Sequence, residues 1–358
     1  MTHDFLIIGG GIAGVSAAAT LSALGSVLLA EAEPHLAQHA SGRSAAMYEP
    51  RYGAPAVVEL SLASGDHFRS IPGLLSDRGL IVVGGAGEEA TLAHDATIMH
   101  LSPISVAEAV AMIPILNSAT LTAAAWSPEA WDIDTDMLLQ DFARTARSTG
   151  AQIVTGARIT ALCRDGTGWR ADWTGGSAQA RNVINAAGAW ADTIAALAGI
   201  APLGLIPHRR SMARIPAPGG HDVSRWPMIF GAGESWYAKP DAGALIVSPA
   251  DEDPTTPHDA WADDMVLAEG LARYEAMVTE PVTRLLSNWA GLRTFAPDRV
   301  PVIGFAPSAP GFFWLAGQGG YGFQSSAAAA RLTANLIGGM APALPAPLVA
   351  ALSPARFG

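Results

Sequence analysis

Phe5-Leu6-Ile7-Ile8-Gly9-Gly10-Gly11-Ile12-Ala13-Gly14 lies near the start of the chain, and Val27-Leu28-Leu29-Ala30-Glu31 follows a run of small residues that ends at Gly25. Four apolar residues stopped by glycine read as a buried strand, the Ala- and Ser-rich run as a helix, and 27–31 as a second strand ending on an acid. Together they form a βαβ unit carrying G-x-G-x-x-G, a pattern that holds a dinucleotide. Gly9 permits the tight turn, Gly11 lets backbone approach a pyrophosphate, and Gly14 lets helix and strand pack closely. Free N–H groups at the helix start, with the positive end of its dipole, face the phosphates. Glu31 stands where a carboxylate accepts ribose hydroxyls and repels a 2′-phosphate. The expected ligand is therefore FAD or NAD rather than NADP.

The remaining composition narrows the class. The 358 residues are 50% hydrophobic and 15% charged, enough for two domains with ample cores. Lys and Arg number 21 against 32 Asp and Glu, so no basic patch suits a nucleic-acid partner. The single cysteine, Cys163, excludes an internal disulfide and reads as a small residue on an alternating strand. The apolar start lacks a basic leader region and is broken by glycines, so it reads as core rather than a signal peptide, and no other stretch is apolar enough to span a bilayer. A soluble, cytoplasmic protein is expected.

Two more strand–glycine–helix passages follow. Asn182-Val183-Ile184-Asn185-Ala186-Ala187-Gly188-Ala189-Trp190 should add a parallel strand and bring backbone to the cofactor from a second side. Phe312-Phe313-Trp314-Leu315-Ala316 runs into Gly317-Gln318-Gly319-Gly320-Tyr321-Gly322 and a helix from Ser325 to Ile337. A helix start there suits the negative charge of a reduced flavin, which favours FAD. Residues 201–284 read as hairpin-rich antiparallel sheet. Ser41-Gly42-Arg43-Ser44-Ala45-Ala46-Met47 reads as a loop and helix start over the cofactor, with Ser41 or Ser44 bonding its oxygens. Asp132, Asp134 and Asp136 lack the glycine and later Glu of a calcium loop; Asp134 or Thr135 reads as a helix N-cap, and no metal is expected.

These stretches, with Arg209-Arg210-Ser211, Tyr237-x-Lys239-Pro240-Asp241 and Trp289-Ala290-Gly291-Leu292-Arg293, resemble the FAD-dependent D-amino-acid oxidase superfamily, and within it the bacterial D-arginine dehydrogenase and D-amino-acid dehydrogenase group. The likeness covers nearly the whole chain. It implies an α/β fold: a Rossmann-like FAD-binding domain with a central parallel sheet, from residues 1–50, 140–200 and 285–358, and a substrate domain with a mainly antiparallel sheet, from 51–139 and 201–284. It places noncovalent FAD against Gly9, Gly11, Ile12, Ala13 and Gly14, against Glu31 and Ala32, and against Ser41, Arg43, Ser44, Ala45 and Ala46. Arg158, Ile159, Ala187, Gly188 and Trp190 come from the middle of the chain. Arg293, Gly317, Gly319, Gly320, Tyr321, Gly322 and Phe323 come from its end.

By the same resemblance Arg210, Arg293 and Tyr237 bind a substrate carboxylate, and guanidinium forks do match carboxylates in pairs. Tyr52 matches a lid tyrosine that could help deprotonate the amine. Met47, Glu49, Leu80, Gly320 and Tyr321 fall in the substrate pocket. The dehydrogenase has a histidine at Met47, a threonine at Glu49 and an acid at Leu80, so the preference for a cationic side chain should be lost, unless Glu49 supplies a replacement acid from another direction rather than pairing with Arg51 on a mobile loop. The implied reaction is oxidation of a D-amino acid with a neutral or apolar side chain. Hydride passes from Cα to flavin N5, and the imino acid hydrolyses to a 2-oxo acid and ammonia. A secondary-amine acid such as sarcosine or a proline-like acid, or glycine, is the alternative. The electron acceptor is left open between oxygen, a quinone and a dye-like molecule.

Overall fold

The structure is a computed structural model describing residues 2–45 and 47–358; Ala46, expected at the cofactor, lies outside the described residues. β1 (Thr2–Ile8), α1 (Ile12–Leu21) and β2 (Val27–Ala30) form the expected βαβ unit, the two strands pairing in parallel from Phe5↔Val27 to Ile8↔Ala30. Strand Gly176–Asn185 pairs in parallel with the other side of β1, and the end of that strand pairs in parallel with Phe312–Ala316. The three strand–glycine–helix passages thus share one sheet, which an antiparallel arm, Ile159–Asp165 and Gly168–Trp173, extends.

Small residues explain how α1 packs. Val15, Ala17, Ala18 and Leu21 are buried, and the helix lies among the sheet, helix Thr135–Ser148 and helix Gly322–Ile337. A helix apolar on every side belongs in a core. Leu6 and Ile7, 0% exposed on opposite faces of β1, each contribute roughly 1.5–3 kcal/mol of burial. A Cβ on Gly14 would meet Gly9 O at 1.9 Å, so helix and turn touch backbone to backbone.

The second sheet runs, by first residue of each strand, 253–206–244–237–228–80–121–102, with Ser287–Phe295 also paired to Ile206–Pro216. Only Met228–Gly231 and Leu80–Gly85 pair in parallel, so the sheet is mainly antiparallel as expected. Three segments cross the expected domain limits. Helix Pro55–Arg69 packs on helix Gly322–Ile337, and helix Thr135–Ser148 on α1, both in the first core. Strand Ser287–Phe295 belongs to the second sheet, because nine consecutive residues from Ser287 to Phe295 register against Ile206–Arg214. Composition could not show this: a strand's partner is decided by register.

Asp134 is the N-cap of Thr135–Ser148, accepting from Met137 N at 2.8 Å. Among the described residues no helix is long and apolar enough to cross a membrane.

Candidate active site

A long cleft runs between the two sheets. One end is walled by Gly9 to Ala13, Glu31 to Glu33, Ala157 to Ile159 and Ala186 to Trp190; the other by Arg210, Met212, Met228, Phe230, Glu234 and Tyr237. Arg43 to Ala45, Met47, Glu49, Gln318 to Gly320 and Gly322 to Gln324 lie along it. Glu31 is buried, its two carboxylate oxygens accepting Gly10 N at 2.5 Å and Glu33 N at 2.7 Å. It fixes the glycine turn and still has lone pairs toward the cleft. Ser41 Oγ accepts Ile12 N at 3.0 Å, at the start of α1. Helix Gly322–Ile337 begins with no side-chain cap, and Gly322 and Phe323 line the cleft. First-turn N–H groups without a capping side chain form an anion site.

Of the expected cofactor residues, Gly14, Gly317 and Tyr321 do not line the cleft. Gly14 acts beneath the turn, as the Gly9 contact shows. Gly317, at φ +72°, turns the chain out of strand Phe312–Ala316. Tyr321 backs Tyr52, ring centroids 5.4 Å apart, and touches Phe295 at 6.4 Å; its place in the expected substrate pocket is corrected likewise. Arg43 reaches the cleft, but its guanidinium pairs with Asp259 and donates to the carbonyls of Ala260 and Ala290 at 2.8 and 3.1 Å. It therefore ties its own loop to the second domain.

The loop is held from the other side as well. Lys239 Nζ donates to Ala45 O at 2.7 Å and pairs with Asp132 at 3.0 Å. Asp132 also pairs with Arg78 at 2.5 Å and faces Met47 in strand register. Burial lowers the Lys239 pKa and Asp132 opposes that shift.

Strand register places the two arginines. Arg210 lies opposite Gly291 and Arg293 opposite His208, so the arginines stand diagonally on one face of the paired strands. A Cβ on Gly320 would meet Arg293 Cζ at 2.8 Å, so glycine is what lets this guanidinium lie against the 318–324 segment. Both arginines approach Oε1 of Glu234, Arg210 Nη1 at 2.7 Å and Arg293 Nη1 at 3.7 Å. Tyr52 donates to the other oxygen, Oε2, at 2.5 Å. Arg210 also holds Asp251 O at 2.9 Å and Glu252 at 3.2 Å. Burial opposes charge on Glu234, but Arg210, Arg293 and the Tyr52 hydroxyl outweigh it and lower its pKa.

The two tyrosines are engaged by the protein itself. Burial, with Glu234 beside it, raises the Tyr52 pKa far above its usual value, and its hydroxyl donates to Glu234. The Tyr237 hydroxyl donates to Met212 Sδ at 3.1 Å, leaving its ring 5.8 Å from the Arg210 guanidinium. Glu49 lines the cleft and is buried; burial pushes its carboxyl up to about 7 despite a hydrogen bond from Arg51 N at 2.9 Å.

Residues 4–336 match the family described as FAD dependent oxidoreductase. The chain belongs to that family. It is 26% identical over 364 residues, 94% of each chain, to the glycine oxidase of Geobacillus kaustophilus. The crystal structure of glycine oxidase from Geobacillus kaustophilus superposes with a TM-score of 0.83 at 24% identity, covering 98% of both chains. The L-proline dehydrogenase from P. horikoshii gives 0.85 at 22% identity over 99% of this chain and 98% of that one. These two likenesses establish the fold.

The cofactor of this FAD dependent oxidoreductase is FAD. The residues present fit it: a glycine turn closed by Glu31, two helix starts facing the cleft, and glycines at 9, 11, 319, 320 and 322 that put bare backbone along it.

Sequence reasoning missed Glu234, Met212, Met228 and Phe230. Met212 was legible by alternation, two residues from Arg210 on one strand face. Glu234 had a weaker mark, an acid in the glycine-flanked turn Gly231-Ala232-Gly233-Glu234.

Proposed function

We propose that the protein oxidises a D-amino acid with a neutral or apolar side chain to its imino acid, which hydrolyses to a 2-oxo acid and ammonia. The observation that carries this is the convergence of Arg210, Arg293 and Tyr52 on a single carboxylate, that of Glu234. The same three donors suit the carboxylate of an amino acid and would fix the direction of its Cα. Met47, Leu80, Met212, Met228 and Phe230 line the same end of the cleft and offer an apolar wall to a side chain. Leu80 leaves an added guanidinium without a partner there.

Bound FAD supplies the hydride acceptor. The chain's own residues orient the acid and manage one proton. An amino acid arrives as an ammonium ion and must lose a proton before hydride can leave Cα. We assign that proton to Glu49, the cleft carboxyl whose pKa burial places about 7. Noncovalent binding of FAD is part of the same reading, supported by Cys163 being exposed and away from the cleft. So is a cytoplasmic location, which suits a chain with one cysteine.

A second reading, oxidation of glycine or of a secondary-amine acid, is supported by the likeness to glycine oxidase over 94% of the chain. Anaerobic bleaching of the flavin separates the two. Both enantiomers of alanine, phenylalanine and arginine, with glycine, sarcosine and L-proline, would be mixed with the holoenzyme. Bleaching by D-alanine and D-phenylalanine, and not by D-arginine, supports the first reading. Bleaching by glycine, sarcosine or L-proline alone replaces it with the second. Hydrogen peroxide formed during aerobic turnover would identify oxygen as an acceptor.

A further inference from the structure

Glu234 has no part in the chemistry above, yet it holds the centre of the arginine pair. We propose that its carboxylate is an internal competitor for the substrate's carboxylate: it fills the Arg210–Arg293–Tyr52 clamp and must leave when a substrate acid enters. This rests on the reading of that clamp given above.

Three features argue for displacement rather than sharing. Arg210 and Arg293 meet one oxygen, and Tyr52 takes the other, so the donors that would seat an incoming acid are engaged. A second carboxylate beside the first would meet like-charge repulsion in a partly dry site. Next, Glu234 has a way out. Its side chain is 26% exposed, and it ends the short turn Ala232–Glu234 beside the cleft. Asp95 anchors that turn by accepting Gly233 N at 2.7 Å, so the side chain can rotate away while the loop stays. Last, the left-handed backbone of the turn, φ +66° at Gly233 and +55° at Glu234, belongs to the turn that Asp95 anchors, so it does not depend on where the Glu234 side chain points.

The arginines respond differently to its departure. Arg210 keeps Glu252 and the Asp251 carbonyl, so it stays in place. Glu234 is the one carboxylate within ion-pair distance of Arg293 among the described residues. Arg293 is therefore the group freed for the incoming acid. A ligand without a carboxylate gains nothing from opening the clamp, so Glu234 also excludes neutral amines of similar size.

The test uses the FAD-loaded protein, with benzoate as a carboxylate that is not oxidised and benzamide as its neutral counterpart, each titrated against the flavin spectrum. Glu234→Gln keeps hydrogen bonding to Tyr52 but removes the charge; Glu234→Ala removes both. The expected result is benzoate bound at least tenfold more tightly by both variants than by the natural protein, with benzamide unchanged. Benzoate affinity that is unchanged or weaker in both variants overturns the competitor. If none of the three proteins binds benzoate or any other monocarboxylate, the clamp reading falls and takes the competitor with it. A tenfold tighter benzoate accompanied by an equal gain for benzamide also overturns it, because that result reports freed space rather than freed charge.

Discussion

Arg210 and Arg293 sit diagonally across two antiparallel strands, on the same sheet face, and their guanidiniums reach one oxygen of a carboxylate at 2.7 and 3.7 Å. Two like charges so close stay charged because acids and tyrosines surround them. For Arg293, burial works against the charge, while Tyr52, Tyr237 and Glu234 restore and exceed it. This pair is the clearest sign of which charge a ligand must bring.

Replacing Arg293 by Ala should raise KM for the amino acid about 10- to 100-fold, the size of a lost charged hydrogen bond of about 1.5–3 kcal/mol. Flavin absorbance after gel filtration should be unchanged, because Gly9 to Ala13 and Glu31 are untouched. Steady-state kinetics with a flavin count checks both halves; unchanged KM would remove Arg293 from the site.

Glu49 gives a pH dependence with a definite sign. Its carboxyl is held near 7 against a usual 4.5, so the folded protein binds more protons than the unfolded chain between those values. Stability from this group is full below about pH 4.5 and falls as pH rises through about 7. Glu49→Gln should therefore raise stability at pH 8 by about 1–3 kcal/mol relative to its effect at pH 5. Urea unfolding at both pH values measures it.

The same residue should shape activity. If Glu49 takes the ammonium proton, kcat/KM for the natural protein should climb as pH rises through about 7. Glu49→Gln should flatten that limb and lower kcat/KM at pH 8 about tenfold or more. A variant with an unaltered profile would move the proton to another group.

Gly14→Val should abolish flavin retention. Even a Cβ there would lie 1.9 Å from Gly9 O, so the turn must open, at a cost of several kcal/mol. Expression followed by flavin release in acid would show the loss, and circular dichroism would separate it from unfolding.

Lys239→Met should loosen the cofactor-side loop without touching the arginines. It removes the donor to Ala45 O and one partner of the half-buried Asp132, which keeps Arg78. A loss of about 1.5 kcal/mol is expected for a charged hydrogen bond. Thermal unfolding of the holoenzyme gives the number, and hydrogen exchange at residues 43–49 gives the place.

Much of this was readable from the chain. The βαβ unit was legible because it is local: strand, glycine turn, helix and acid lie within about thirty residues, and each has its own chemistry. The parallel sheet was legible because two more passages repeat the pattern. Arg210 and Arg293 came from motif likeness, and register then explained why they meet. The role of residues 287–295 was hidden, since Trp289 to Phe295 look the same beside either sheet. Glu234 was hidden for another reason. Its contacts depend on which residues lie across the cleft from a turn, and nothing in Gly231 to Glu234 records that. The burial of the Tyr52 hydroxyl is likewise set by packing between distant segments, which sequence does not carry.

The cleft draws its walls from residues 8–13, 157–159, 186–190, 291–294, 318–320 and 322–324, among others. No half of the chain contains a binding site. The glycine turn is synthesised nearly three hundred residues before the strand Phe312–Ala316 and the helix after it. Flavin capture therefore requires that segments this far apart in the chain have met. A shortage of FAD would leave chains without the ligand that stabilises this closure by mass action.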